Sequence, residues 1–186
     1  SDLLREYVKE HGLIQVPQYY SIGDEIYEGS AGPSPAEFYR LMREGSMPKS
    51  QAVNPAVVEK TFREILDEGK DILYISFSSA LSGSCDIVRM VAGQLLEEDY
   101  PEAKIEVVDS LCVSLGEGLL VNKALKMQEQ GKSLAEVRDW LTENVPHVCV
   151  KFTVDDLFHL QRGGRVSKAT AVVGSVLNLK PGLKLT

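Results

Sequence analysis

Two segments of this chain carry residue types that can bind an anion. Residues 77–84 read Phe-Ser-Ser-Ala-Leu-Ser-Gly-Ser, with hydroxyls at Ser78, Ser79, Ser82 and Ser84 and a glycine at Gly83. They lie between a short apolar run and a helical pattern. A helix start presents unpaired N–H groups and a partial positive charge, so it attracts anions. Hydroxyls add donors there without adding a full charge. The same residues equally describe a serine-rich helix cap with no ligand, and at this level both readings stand. Residues 161–168, Gln-Arg-Gly-Gly-Arg-Val-Ser-Lys, gather Arg162, Arg165 and Lys168 in a chain whose net charge is −7. Such a cluster fits an anion or an acidic partner. It fits as well a pair of arginines neutralised by surface carboxylates. A third polar stretch, residues 47–55, reads alone as a connecting loop ahead of a helix.

Other chemistries find no template. There is no Gly-x-Ser-x-Gly for a nucleophile elbow and no phosphate-binding Gly-x4-Gly-Lys loop. Gly116-Glu117-Gly118 lacks the third glycine of a dinucleotide fingerprint. His11, His147 and His159 are isolated, and Cys85, Cys112 and Cys149 are odd in number and far apart, so no metal site, cofactor or disulfide framework is expected. The cysteines read as buried free thiols. Glu97-Glu98 reads as part of a solvated face. An acidic surface disfavours nucleic acid and anionic membranes. No secretory leader and no apolar run of membrane-spanning length is seen, so a cytoplasmic location is expected.

The elements that would position these residues follow from periodicity and caps. Leu3, Leu4, Tyr7 and Val8 form a helical face ending near Gly12, and residues 13–22 read as extended. Ser34-Pro35-Ala36-Glu37 opens a helix with Phe38, Leu41 and Met42 on one side. Asn54-Pro55 opens another, with Val58, Phe62, Ile65 and Leu66 inward and Gly69 as its stop. Residues 71–77 (DILYISF) read as a strand buried on both faces. A helix with Ile87, Val88, Val91 and Leu95 inward follows, then a strand at 104–108 and a helix from about 114 to 129. The box Ser133-Leu134-Ala135-Glu136 opens the next helix. A third strand is expected at 148–152, then a short helix capped by residues 153–156 and ending at Gly163-Gly164. Alternating short strands and helices imply an α/β parallel sheet covered by helices. Ligands of such sheets sit at the carboxyl ends of strands, which singles out loops 78–84 and 109–114. An α/β domain commonly opens on a strand, whereas this chain opens on a helix, so the natural protein is expected to begin earlier.

Taken together, the stretches MPKSQAVNP (47–55), SFSSALSGS (76–84), VVDSLCVSLGEGLL (107–120) and LQRGGRVSKATAVVGSVLNLKP (160–181) resemble the DegV family of bacterial fatty-acid-binding proteins, in order and spacing over nearly the whole chain. The resemblance implies residues 1–147 as an N-terminal α/β lobe without its opening strand and residues 148–186 as the start of a second α/β lobe. It implies a long-chain fatty acid in an apolar tunnel between the lobes. The carboxylate would be held by Ser50, by Ser82 with Gly83 beside it, and by a histidine of the second lobe beyond this sequence. It implies a carrier and not an enzyme, one that presents the acid to a separate fatty acid kinase subunit on the way to phospholipid. Arg162 and Arg165 would then face that partner or its nucleotide.

The chain departs from the family pattern at Ser50, commonly Thr, and at Gln51-Ala52, commonly Ser-Gln. Ala80 stands for a common Gly and Ser84 for a common Thr. Ser50 keeps the hydroxyl but loses the methyl that restrains χ1. Two other readings remain at this level. One is an interaction or regulatory module that binds no lipid. The other is a small-molecule enzyme using Ser82.

Overall fold

The computed structural model describes residues 1–29, 31–154, 156–168 and 183–184. Its centre is a parallel pair of strands, β1 (Ile72–Ser76) and β2 (Ile105–Asp109). Register runs from Ile72 opposite Ile105 to Ser76 opposite Asp109. Side chains alternate across the two faces, as the strand period of two requires. Ile72 and Tyr74 join one apolar cluster, and Leu73 and Ile75 join the other.

Helices cover both faces. On one side lie α1 (Pro55–Asp67) and α2 (Ser84–Glu98), meeting through Val58, Phe62, Val88 and Leu95. On the other lie α3 (Ser114–Glu129) and α4 (Leu134–Asn144), packed through Leu120, Val137 and Leu141. Phe62 and Leu141 are completely buried, and each such side chain stabilises the fold by about 1.5–3 kcal/mol. The expected caps hold. Asn54 Oδ1 accepts the Ala56 amide, and Ser133 and Glu136 form a reciprocal box. Gly69 ends α1 at φ 72°, a conformation that glycine adopts without steric cost.

A second, smaller sheet stands beside this centre. Strands β3 (Tyr19–Ile22), β4 (Glu25–Glu28) and β5 (Lys49–Gln51) pair antiparallel in the order β4-β3-β5. The two-residue turn Gly23-Asp24 joins the first two, with Gly23 at φ 61°. Helix α5 (Pro35–Arg43), capped by Ser34, sets Phe38 edge-on against Tyr20 with ring centroids 5.4 Å apart. Helix α6 (Arg5–Glu10) precedes them and is followed by Gly12 at φ 60°.

Several expectations are corrected. Residues 47–55 are not only a loop, because residues 49–51 form β5, and every residue of that strand is exposed. The strand expected at 148–152 is reduced to β6 (Lys151–Phe152). It pairs antiparallel with β7 (Leu183–Lys184) and does not extend the parallel sheet. Pro146 lies in a 3-10 turn (Val145–His147) that delays the strand. Cys85 and Cys112 are buried as expected, but Cys149 is exposed. Helix α7 (Leu157–Arg162) takes its cap from Asp156; Asp155 and residues 169–181 of the last motif lie outside the described residues. Among the described residues, no helix is long and apolar enough to cross a membrane.

Candidate functional site

Because β1 and β2 are parallel, their following loops leave the sheet at the same end. They are stitched together there. The Ser78 amide donates to the Cys112 carbonyl at 3.0 Å, and the Ser110 amide to the Ser76 carbonyl at 3.1 Å. Asp109 binds both loops through one oxygen, with Oδ1 accepting the Ser79 amide at 3.1 Å and the Leu111 amide at 3.0 Å. The second loop is backbone-strained, with Leu111 at φ 46° and Ser114 at φ 55°. Gly116 explains why a small residue is needed nearby. A Cβ there would lie 2.4 Å from Val150 Cγ2 and 3.2 Å from Cys112 Cβ, so the glycine lets the start of α3 approach these residues closely.

Ser82 and Gly83 stand where expected, at the start of α2, with Gly83 as its N-cap. The Ser82 oxygen accepts the Ser84 amide at 3.3 Å and lies 2.9 Å from the Ser84 hydroxyl. Ser84 in turn accepts the Val53 amide at 3.2 Å, and both Ser84 and Val53 are buried. Ser84 thus joins the serine loop to the segment that follows Ser50. Ser50 itself is exposed on β5, opposite Tyr20, and the link to Ser82 runs through Val53, three residues on. The Ser78 hydroxyl is buried, with no hydrogen-bond partner among the described residues. Reading by residue type missed Ser84 and Asp109 as organisers. Both sit in segments already marked by their place after strands, but their partners are 31 and 30 residues away.

The two arginines diverge. Arg162 pairs with Asp156 at 3.3 Å, the surface carboxylate pairing considered above. Arg165 reaches back to the serine loop, its Nε and Nη2 both donating to the Leu81 carbonyl at 3.3 Å.

The family model described as "Uncharacterised protein, DegV family" matches residues 1–186. The chain belongs to the DegV family. It is 45% identical over 150 residues to a DegV domain-containing protein of Clostridium perfringens, covering 81% of this chain and 51% of that protein. Its fold is similar to a solved DegV family protein of Thermus thermophilus, described by its fatty acid binding. That likeness has TM-score 0.86 at 32% identity, over 100% of this chain and 64% of the other. It is similar also to the Streptococcus pneumoniae fatty acid kinase B3 protein loaded with linoleic acid. There the TM-score is 0.78 at 26% identity, over 93% of this chain and 60% of the other. The DegV chain thus spans between half and two thirds of these relatives' length.

A cavity of about 950 Å³ also opens in this DegV chain, between α1 and α3. It runs along residues 70–75, which include Ile72 to Ile75 of β1, a strand that pairs with β2 alone among the described residues. It touches Val53 and Ser84 but not Ser50, Ser82 or Gly83. Glu117 lies on its wall, mostly buried, with its carboxyl pushed up by that burial. Burial likewise pushes the Cys85 and Cys112 thiols up, away from thiolate chemistry. Among the described residues no group of His, Cys, Asp or Glu is placed to hold a metal ion.

Proposed function

We propose that this protein binds a long-chain fatty acid and holds its carboxylate at the start of α2. The observation that carries this reading is the arrangement of Ser82. Its oxygen accepts the Ser84 amide, and the Ser84 hydroxyl stands 2.9 Å away. When the Ser84 hydroxyl donates to it as well, both acceptor positions of Ser82 are filled and its own proton points outward. That proton and the free amides of the helix start then meet an anion. A carboxylate near apolar surface must be hydrogen-bonded to stay charged there. Hydroxyls do this without an ion pair that would retain the acid too strongly. Ser50 supplies a second hydroxyl from the neighbouring strand.

The acyl chain is assigned to a tunnel closed by a second lobe, of which residues 148–186 are the start. The cavity along β1 is not assigned to it, because that cavity reaches Ser84 without reaching Ser82 or Gly83. The family resemblance and the linoleic acid of the kinase B3 protein support a carrier that presents its ligand to a kinase subunit. A serine-dependent enzyme finds no support here, since among the described residues the neighbours of the Ser82 side chain are a hydroxyl and an amide, and neither is a base.

Mass spectrometry of organic extract from the intact, folded protein tests the reading. A stoichiometric fatty acid that is lost in Ser82→Ala is the expected result. A folded protein free of lipid would favour an interaction module and remove Ser50 and Ser82 from consideration as a carboxylate site.

A further inference from the structure

Arg165 is held in place before its side chain makes any contact. Helix α7 ends at Gly163-Gly164, with Gly164 at φ 78°. The Arg165 amide donates back to the Leu160 carbonyl at 3.0 Å, and the Gly164 amide to Gln161 at 2.9 Å. This closure of a helix end by a left-handed glycine fixes the direction in which the next side chain leaves. Nη1 donates to the Gly163 carbonyl, while Nε and Nη2 share the Leu81 carbonyl.

The Leu81 carbonyl belongs to the same planar peptide as the Ser82 amide. That amide donates to the Ser78 carbonyl at 3.2 Å. One peptide plane is therefore gripped from both sides, by Arg165 at its oxygen and by Ser78 at its nitrogen. A shift of this plane would carry the Cα of Ser82 with it and displace the hydroxyl from Ser84. These contacts commit Nε, Nη1 and Nη2 to backbone carbonyls, an unexpected use for a cation presumed to face an anion or a partner.

We propose that Arg165 is a positioning residue that clamps the Leu81–Ser82 peptide and so presents Ser82 to its ligand. The clamp joins the start of α2 to the turn after α7, across 84 residues of sequence. Its link to fatty acid rests on the function proposed above.

Hydrogen exchange of the intact, lipid-free protein reads the clamp without reference to any ligand. In Arg165→Ala, the hydrogen-bonded amides of Ser82 and Ser84 are expected to exchange about tenfold faster, the factor that one lost hydrogen bond of ordinary strength produces. Amides within α1 and β2 should not change. Arg165→Lys keeps the charge and one donor but not the fork, and should fall between. Unchanged exchange at Ser82 and Ser84 in Arg165→Ala would overturn the clamp. Titration of the same proteins with a fluorescent fatty acid reads the second half. Affinity is expected to fall about tenfold in Arg165→Ala, in step with the looser loop. A looser loop with undiminished affinity would overturn the positioning role. No binding even by the unaltered protein would overturn the fatty-acid reading and the positioning role that rests on it, while exchange still decides the clamp.

Discussion

The Ser84 hydroxyl accepts the Val53 amide at 3.2 Å, tying the first turn of α2 to the segment ahead of α1. Both residues are buried, so the bond is made away from water. Ser84→Ala leaves the Val53 amide without its partner. The expected cost is about 1–3 kcal/mol of stability, the penalty for an orphaned buried donor. Urea unfolding should show a lower midpoint at unchanged slope. An unchanged midpoint would mean that water or a backbone shift takes over the amide.

Ser82 is only half-buried, and among the described residues its hydroxyl is bonded to Ser84 alone. Ser82→Ala should therefore disturb stability less than Ser84→Ala. If Ser82 donates to a carboxylate, the same change weakens fatty-acid binding by about 1–3 kcal/mol, roughly tenfold to a hundredfold. Titration with a fluorescent fatty acid measures this directly. Equal affinity in variant and parent would take Ser82 out of the site.

Gly116 gives the start of α3 its close approach to Val150 and Cys112. Gly116→Ala inserts a methyl into the space of a stiff, branched side chain, at an expected cost of about 1–3 kcal/mol. In a double-mutant cycle with Val150→Ala, the combined loss should be smaller than the sum of the two, because truncating Val150 opens that space. Strict additivity would show that the clash is relieved elsewhere.

The box at the start of α4 carries a pH dependence of definite sign. Hydrogen bonds from Lys132 and from the Ser133 amide and hydroxyl hold the Glu136 carboxyl down to about 2, from an ordinary 4.5. A carboxyl depressed in the folded state contributes stability that is present above its unfolded value and lost as pH falls through the folded one. The contribution should thus fade between pH 4.5 and about 2. Glu136→Gln should melt below the parent at pH 7, and the difference should vanish at the acid end. A constant difference across that range would assign the effect to something other than this carboxylate.

Much of this architecture was legible in local sequence. Caps at Ser34, Asn54 and Ser133 and a glycine stop at Gly69 act within a few residues, and each is where its pattern placed it. The apolar run at 71–77 became a central strand for the same reason: its hydrophobicity suits an element packed on both faces. The order of the serine and RGGR segments was likewise enough to indicate the family.

What local pattern does not contain is which distant group meets which. Residues 49–51 have no apolar alternation to mark them, and they became a strand because an edge of β3 was there to pair with. Ser84 looks like one serine among four until Val53, 31 positions earlier, donates to it. Arg165 looks like a free cation until Leu81, 84 positions earlier, offers a carbonyl. Periodicity and capping are short-range consequences of backbone geometry, so the chain alone determined its helices, its central strands and their order. Hydrogen bonds between remote segments exist only once the sheet has brought them together. The linkage around Ser82 was therefore decided by the tertiary structure.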